Sequence, residues 1–499
     1  MSEKTKTTEV AESEEDRAGR SLEKNRRYIG SRETRAYILY DIAQSFNIDA
    51  RMEYFTNDIL VIAFRWQTII SGIVGVWDII NDLFLASLVD RTNTRFGKFK
   101  PYLILYAGPG AVMGMIFWSM PLIFPGAPAA YLPKILLFFV LKMLQNLNGS
   151  MYGIAKTGIL STITPDRIDR TRLINQANLI SSLVERWPEY LVKFGIDAVN
   201  REIIPIKMTS LFAGFGVFTA LFSSLFGLYF AIIYRERVLQ SVEKPTQKEA
   251  ITSLFKSRPL MMMALSSLLS RFGLSVDMST YYIQVLNVSS MEIFVGIPGM
   301  FATYASYTYV DKLRERFSTK SLWIVGEHLG DLLVIPVFIF GSINKNFKKP
   351  IPIGIALAIH EFIWNLFYAL RKVIPQEIQN EVIDYSEWKF GYRTEGMTGV
   401  MQGLAAKVVG TFGAMMKSII YQMIGYRQGL KPGQQTERTE YLLFFSTTLL
   451  PIMTGSLGII PKFFYNINEK TRKRMYAELE ERRRETAQKL NSEEDKPEE

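Results

Sequence analysis

The chain has 499 residues, of which 48% are hydrophobic and 13% aromatic, and it carries a net charge of +10. This is more apolar material than one soluble core needs, and it comes in blocks of about 20 residues with few charges, the length of a helix that crosses the hydrocarbon of a membrane. The positive charge lies in short loops between these blocks, so we exclude nucleic acid as a partner. No cysteine is present, which excludes disulfides.

The blocks predict an all-α membrane protein with twelve transmembrane helices in two groups of six. Spans 1, 5, 7 and 11 are polar, as is typical of helices that line a wet cavity. The predicted spans 1 to 6 cover 36–56, 62–89, 101–124, 131–161, 171–196 and 208–234, and spans 7 to 12 cover 258–284, 288–310, 321–343, 351–380, 395–425 and 440–464.

Charge divides the chain into five predicted regions. A charged tail (1–33) precedes the first six-helix bundle (34–234), and a polar linker (235–257) separates it from the second bundle (258–465) and a charged tail (466–499) that forms at most a surface helix. The loops after spans 2, 4 and 8 are rich in Lys and Arg and those after spans 1 and 7 are not. The positive-inside rule therefore places both termini in the cytoplasm, with the protein in the cell (inner) membrane. Lys345, Lys348 and Lys349 oppose this orientation.

An internal repeat relates the two halves. The segment 89–96 reads VDRTNTRF and the segment 310–317 reads VDKLRERF, and each follows the second span of its group. Two basic loops can match by chance, but the equivalent positions favour duplication, which is typical of transporters. We predict a cytoplasmic gate at these loops, formed by Asp90, Arg91, Arg95, Gly97, Lys98, Asp311 and Arg316.

Two acids in span 2 are the strongest functional signal. Asp78 and Asp82 are four residues apart and therefore share one face of the helix. A carboxylate in hydrocarbon is costly, so such residues usually face a cavity and bind ions, protons or a partner cation. Two interpretations stay open: the acids bind a transported cation, or they pair structurally with a basic helix such as the one that carries Lys407.

Other intramembrane polar residues have structural as well as functional explanations. Asp41, Gln44, Ser45 and Asp49 share roughly one face of span 1, which fits either a cavity wall or a packed polar stripe. Lys156 in span 4 either snorkels, neutralises an acid or contacts a solute. Glu327 and Asp331 lie near one of the two histidines, His328 and His360, but without an HExxH spacing or cysteine we predict no metal site beyond one for a coupling Na⁺.

Residues 77–105, WDIINDLFLASLVDRTNTRFGKFKPYLIL, resemble the signature of the glycoside, pentoside and hexuronide:cation symporters of the major facilitator superfamily, and IDYSEWKFGYRTEG at 383–396 resembles a second family block. The resemblance implies the major facilitator fold, a cation site at Asp78 and Asp82, and a charge-balancing lysine at Lys407. Gly153, Asn178, Gln44 and Ser45 stand where a family member has charged residues that hold its sugar. The substrate cavity is predicted to include Asp41, Gln44, Ser45, Lys156, Asn178 and Gln402.

Three classes of function remain. The family blocks, the acids and the repeat favour symport of a small polar solute, a sugar or glycoside, with Na⁺, Li⁺ or H⁺ by alternating access. The same fold carrying an amphipathic or lipid-like solute is the alternative. A membrane enzyme is disfavoured because no nucleophile and base form a recognisable motif. We expect no cofactor, membrane lipid as the surroundings, and a monomer.

The predicted orientation is testable with reporter fusions. A phosphatase or fluorescent reporter placed after Arg235, and another placed after Glu499, should both report the cytoplasm because the loops rich in Lys and Arg stay on that side. A signal from the external side at either position would contradict the orientation or the helix count.

Overall fold

The computed structural model describes residues 29–92, 94, 96–164, 167–237, 257–390 and 395–494. Within these ranges the regular structure is helical and no strand is present. The longer helices are α1 (Ser31–Ser45), α2 (Phe64–Arg91), α3 (Lys100–Ala107), α4 (Pro109–Ile123), α5 (Leu132–Thr162), α6 (Arg167–Val184), α7 (Trp187–Asn200), α8 (Met208–Ile233), α9 (Arg258–Arg271), α10 (Met278–Gln284), α11 (Met291–Ser306), α12 (Val310–Arg316), α13 (Thr319–Leu332), α14 (Val334–Ser342), α15 (Pro350–Leu366), α16 (Tyr368–Phe390), α17 (Glu395–Met423), α18 (Glu437–Gly455), α19 (Ile459–Phe463) and α20 (Glu469–Glu494).

Each predicted span contains a helix, and several spans contain two. Span 3 is broken at Gly108, directly before Pro109, because proline cannot donate a backbone hydrogen bond and its ring clashes with the preceding turn. Span 7 is broken between α9 and α10, where Asp277 accepts a hydrogen bond from the backbone N of Ser279 at 3.0 Å and so caps α10.

Six helices among the described residues are long and apolar enough to cross a membrane. They are Lys100–Ile123, Met208–Ile233, Thr319–Lys348, Pro350–Lys389, Gly403–Met423 and Glu437–Phe463. The polar span 11 is among them, while the polar spans 1, 5 and 7 are not. Predicted spans 2, 4 and 8 are also missing from the six, so among the described residues hydropathy does not by itself separate the polar spans from the apolar ones.

By their contacts, the residues form two compact units. The first comprises Met1–Ile62 and Ile80–Val242, and the second comprises Ala63–Ile79 and Glu243–Glu499. The first part of α2, up to Ile79, thus belongs by its contacts to the second unit. The division into bundles at 34–234 and 258–465 stays a prediction.

Aromatic side chains form the core of the first unit. Tyr40 stacks on Phe230 with 4.7 Å between ring centroids, and Tyr37 packs edge-on against the same ring at 5.6 Å. The hydroxyl groups of Tyr40 and Tyr152 are hydrogen-bonded to each other. These contacts join α1 to α5 and α8, so the position of the polar face of α1 is fixed by a packed core.

Glu236, which lies in the predicted linker, binds the N-terminus of α3 at one end of the first unit. Its carboxylate accepts hydrogen bonds from the backbone N of Lys98 (2.8 Å), Phe99 (2.7 Å) and Lys100 (3.3 Å), at the N-terminus of α3. A carboxylate is favourable there because the first backbone N–H groups of a helix lack partners and carry partial positive charge. Gly97, at φ +103°, leaves room for it: a Cβ would lie 2.6 Å from the Glu236 carboxyl carbon.

Arg237 forms further hydrogen bonds at the same end of the first unit. Its guanidinium donates to both carboxylate oxygens of Glu33 at 2.9 and 2.7 Å and to the backbone O of Ile163 at 2.8 Å. Its backbone N donates to the O of Thr162 at 2.8 Å. Residues that the sequence analysis assigned to a linker thus tie α1, the end of α5 and the loop before α3 together.

The second unit ends in α20, which docks on α16. The Glu381 carboxylate accepts from the Arg472 guanidinium and, at 2.7 Å, from the Tyr465 hydroxyl. Burial, followed by the negative charge of Glu381, raises the pKa of Tyr465 above its usual range, so its hydroxyl remains a donor. The Trp388 Nε1 donates to Glu478 at 2.6 Å. The C-terminal helix is therefore part of the packed second unit.

The Glu236 cap gives a stability prediction. Glu236→Gln keeps the size of the side chain but removes the charge that three backbone N–H groups face, and should lower the free energy of unfolding by about 1 kcal/mol. Gly97→Ala should cost more, because it adds backbone strain to overlap with the carboxylate. Thermal melts of the purified protein measure both. Arg235→Gln, at an exposed neighbouring position, is the control, and equal melting temperatures for it and Glu236→Gln would contradict the cap.

Candidate cation-binding site

The first part of α2 runs antiparallel to α17 within the second unit. Phe64 stacks on Tyr421 with 5.3 Å between ring centroids and parallel rings. Further along α2, Gly72 faces Met415, whose sulfur would lie 3.2 Å from an added Cβ. Residue numbers along α17 fall as those along α2 rise, so the two helices are antiparallel and contact each other over successive turns.

Gly75 sets the closest approach. A Cβ at this position would overlap the side chain of Thr411, so only glycine allows the two helix backbones to lie this near. The Thr411 hydroxyl donates to the backbone O of Lys407 at 2.8 Å, which holds that side chain against its own helix. One turn beyond Gly75 on α2, this close packing brings Asp78 opposite Lys407.

Asp78 and Lys407 form an ion pair at this point. The Lys407 Nζ lies 2.8 Å from the Asp78 Oδ2 and 3.4 Å from the Asp78 backbone O. The two side chains keep 19% and 25% of their surface exposed, so the pair is partly enclosed and still reachable. Chemically, the ammonium occupies the coordination position that a small cation would take at the same carboxylate oxygen.

Several predicted site residues have side chains outside those that the structure describes. Asp82 lies one turn after Asp78 on α2, and Gln402 lies on α17 before Lys407, but only their backbones are described. The same holds for the side chains of the gate residues Asp90, Arg91 and Asp311, while Arg95 lies outside the described residues altogether. Of the other gate residues, Gly97 and Lys98 form the loop held by Glu236, and Arg316 is exposed at the end of α12.

Two of the predicted substrate residues of α1, Gln44 and Ser45, lie beside cavities in the first unit. Gln44 and Ser45 line a cavity of about 340 Å³ together with Asn47, Ala50, Glu185, Arg186 and Glu189. A second cavity, of about 300 Å³, is lined on its polar side by Gln44, Asn47, Asp49, Tyr106, Gln145 and Asn148. Side-chain amides and carboxylates line both spaces, a guanidinium lines only the first and a phenol only the second. The second space also has an apolar lining that includes Phe46, Phe117 and Trp118.

The remaining predicted substrate residues are not brought to these cavities. Asp41 accepts a hydrogen bond from the Ser181 hydroxyl at 2.8 Å and so joins α1 to α6. Asn178 is exposed, and Lys156 is half-buried on α5 without an ion pair among the described residues.

The sequence analysis did not identify the charged residues at the junction between α6 and α7. Glu189 bridges the buried Arg51 at 3.2 Å and Lys193 at 2.6 Å, and Glu185 and Arg186 line the larger cavity. All lie within or beside predicted spans 1 and 5, where charged side chains are rare and usually functional. That rule would have identified them.

Among the described residues, no three His, Asp or Glu side chains are grouped as ligands of a metal ion.

Comparison with known proteins agrees with this architecture. A family model described as MFS/sugar transport protein matches residues 36–469. The chain is 24% identical over 461 residues to a glucuronide carrier protein homolog of Escherichia coli (strain K12), covering 90% of this chain and 95% of that protein. It is 22% identical over 437 residues to a putative sulfoquinovose importer of Salmonella typhimurium (strain LT2), covering 84% and 85%. The crystal structure of a D-xylose-proton symporter aligns with a TM-score of 0.54 at 13% identity, covering 87% of this chain and 96% of that one.

The structural likeness confirms the predicted major facilitator fold, and the relatives confirm the resemblance to glycoside, pentoside and hexuronide:cation symporters. The prediction that the protein is not an enzyme is confirmed by the same family. The chain belongs to the MFS/sugar transport protein family and is an integral membrane transporter.

Proposed function

We propose that the protein is a cation-coupled symporter of a sugar or glycoside, which works by alternating access of two six-helix halves. The observation that carries the proposal is the ion pair between Asp78 and Lys407 at the glycine contact of α2 and α17. A lysine that rests on an intramembrane carboxylate neutralises it while no other cation is bound.

The coupling cation, Na⁺, Li⁺ or H⁺, binds at Asp78 and Asp82, which share one helix face. Its arrival replaces the Lys407 ammonium at the Asp78 carboxylate, so cation binding and the position of α17 are linked. If the solute binds better to the cation-loaded arrangement, then each ligand tightens the other by the same factor, typically about 1–3 kcal/mol.

The solute class follows from the cavities and the relatives. Amides, carboxylates and Arg186 around the α1 cavities suit the many hydroxyl groups of a sugar. The names of the relatives refer to a glucuronide, to sulfoquinovose and to D-xylose.

The membrane, the oligomeric state and the orientation of the transporter are proposed from the sequence. The protein lies in the cell (inner) membrane as a monomer with both termini in the cytoplasm, which places the loop held by Glu236 at the cytoplasmic gate. Lys345 and Lys348, which oppose this orientation, form ion pairs of 2.5 Å with Glu437 and Glu440.

Uptake into proteoliposomes tests the proposal. Radiolabelled glucuronide, xylose and lysophospholipid are offered with and without gradients of Na⁺, Li⁺ or H⁺, and one sugar should accumulate only with a cation gradient. Asp78→Asn and Asp82→Asn should each reduce gradient-driven accumulation at least about tenfold, because the cation loses a charged ligand. Glu202→Gln, at an exposed acid between α7 and α8, should accumulate normally. Wild-type accumulation by Asp78→Asn, or uptake of the lysophospholipid alone, would overturn the proposal.

Lys407 gives a separate prediction. Lys407→Ala should lose coupled uptake because it leaves the Asp78 carboxylate without its cation. Adding Asp78→Asn should restore solute exchange in part, but not accumulation, since the carboxylate charge that Lys407 offset is gone and the cation ligand is gone with it. The double-mutant cycle is measured by solute exchange, with the exposed Lys431→Ala as control. Strictly additive effects would show that the pair does not balance charge in transport.

A further inference from the structure

The second cavity of the first unit, of about 300 Å³, lies where α4, α5 and α8 meet the C-terminal end of α1. Gln145 and Asn148, three residues apart on one face of α5, give it a polar wall. Phe117 and Trp118 of α4 give it an aromatic wall. An apolar surface combined with a few placed polar groups is typical of sites that bind small organic molecules.

The aromatic wall is held in place by packing. Trp118 is 5% exposed, and its ring centroid lies 4.6 Å from that of Phe55. Gly216 of α8 leaves room for the indole, since a Cβ at that position would overlap it. The wall is therefore preformed, and its apolar surface suits the C–H groups of a sugar ring.

On the polar wall, Asn148 is buried with an unused acceptor. The residue is 6% exposed, and its Oδ1 has no hydrogen-bond partner among the described residues. Its amide packs directly against α4, because a Cβ at Gly110 would overlap the Asn148 Nδ2. A buried carbonyl oxygen without a donor is costly, so this position favours a bound molecule that donates a hydrogen bond.

Asp49 is the one charged side chain among the described residues that line this cavity. Lys142 of α5 contacts two other lining residues: its Nζ lies 3.5 Å from the Met52 Sδ and 4.7 Å from the centroid of the Phe117 ring. The charges of Asp49 and Lys142 attract each other. Because each offsets the other, the lining offers a ligand neither an uncompensated cation nor an uncompensated anion.

The acceptors and the charge balance define the ligand. The Asn148 Oδ1 and the Asp49 carboxylate both accept, and a sugar hydroxyl donates to such groups. The carboxylate of a uronate or the sulfonate of a sulfonated sugar only accepts, and it would bring a second negative charge beside Asp49 in a low-dielectric bundle. An amino sugar donates, but its positive charge would be opposed by Lys142.

We propose that the second cavity binds one neutral sugar ring and discriminates against uronates and sulfonated sugars, with Asn148 and Asp49 as the residues that determine this specificity. The proposal rests on the proposed function, since it names the class of sugar that the first unit receives. Gly110 acts as a positioning residue, because it sets where the Asn148 amide lies.

A set of pyranoses that differ in charge tests the specificity. Isothermal titration calorimetry measures binding of D-glucose, D-xylose, D-glucuronate and D-glucosamine to the full chain in lipid nanodiscs. At least one neutral sugar should bind about tenfold more tightly than either charged sugar. Asp49→Asn keeps the size of the side chain and an acceptor but removes the charge, so it should reduce the preference over D-glucuronate about fivefold or more.

Two glycines on one face of α4 provide a matched pair of variants. Gly110→Ala places a methyl group against the Asn148 amide, whereas Gly114→Ala places the same group 3.7 Å from the Ala220 Cβ, an ordinary contact. Gly110→Ala and Asn148→Ala should each weaken binding of the neutral sugar about tenfold, and Gly114→Ala should change it less than about twofold. Thermal melts show which variants fold, and the preference in Asp49→Asn is a ratio within one protein, so it is read even if Asn148→Ala fails to fold.

Three results would overturn the proposal: binding of neither neutral sugar, binding of D-glucuronate or D-glucosamine as tight as that of the neutral sugars, or an unchanged preference in Asp49→Asn. Equal affinities in Gly110→Ala, Asn148→Ala and Gly114→Ala would show that water alone pairs with Asn148, and would overturn its role. Calorimetry needs no gradient, so sugar binding without cation-driven uptake would count against symport and leave the site. Cation-driven sugar uptake with an unchanged preference in Asp49→Asn would count against the site alone.

Discussion

The cost of placing a charge in hydrocarbon decides where the functional groups of this protein lie. Asp78 can occupy α2 because Lys407 reaches it at 2.8 Å, and Lys407 can reach it because Gly75 lets α2 and α17 approach closely. Neither charge is stable alone in that surrounding. The pair is therefore a structural contact between α2 and α17 and, in the proposed mechanism, the point where the coupling cation binds.

The same constraint explains the other polar contacts at depth. The buried Lys134 ammonium donates to three backbone carbonyls, those of Leu60, Val61 and Ala127, at 3.0 to 3.1 Å. Arg51 forms an ion pair with Glu189, which also forms an ion pair with Lys193. In each case the desolvation of a cation is offset by anions or dipoles placed around it.

Charge also organises the ends of the two units. Glu236 caps α3 and Arg237 joins Glu33 to the end of α5, while Glu381 holds Arg472 and Tyr465 of the C-terminal region. These residues lie near the ends of apolar helices, where carboxylates and guanidinium groups can satisfy backbone groups that the helix itself leaves without partners.

The sequence alone determined the positions of the apolar helices, the placement of two acids on one face of α2 and the family, because helix length, a period of 3.6 residues and two contiguous motifs are local properties. Asp78 was singled out from the residues alone, whereas the charge-balancing role predicted for Lys407 came from the family resemblance. Only the tertiary structure decided that Gly75 meets Thr411, that Glu236 in the predicted linker caps α3, that Asn178 lies exposed, and that Lys462 contacts Glu327 and His328. Those outcomes depend on which helix faces pack together, and the partners are separated by tens to hundreds of residues along the chain, so no local pattern specifies them.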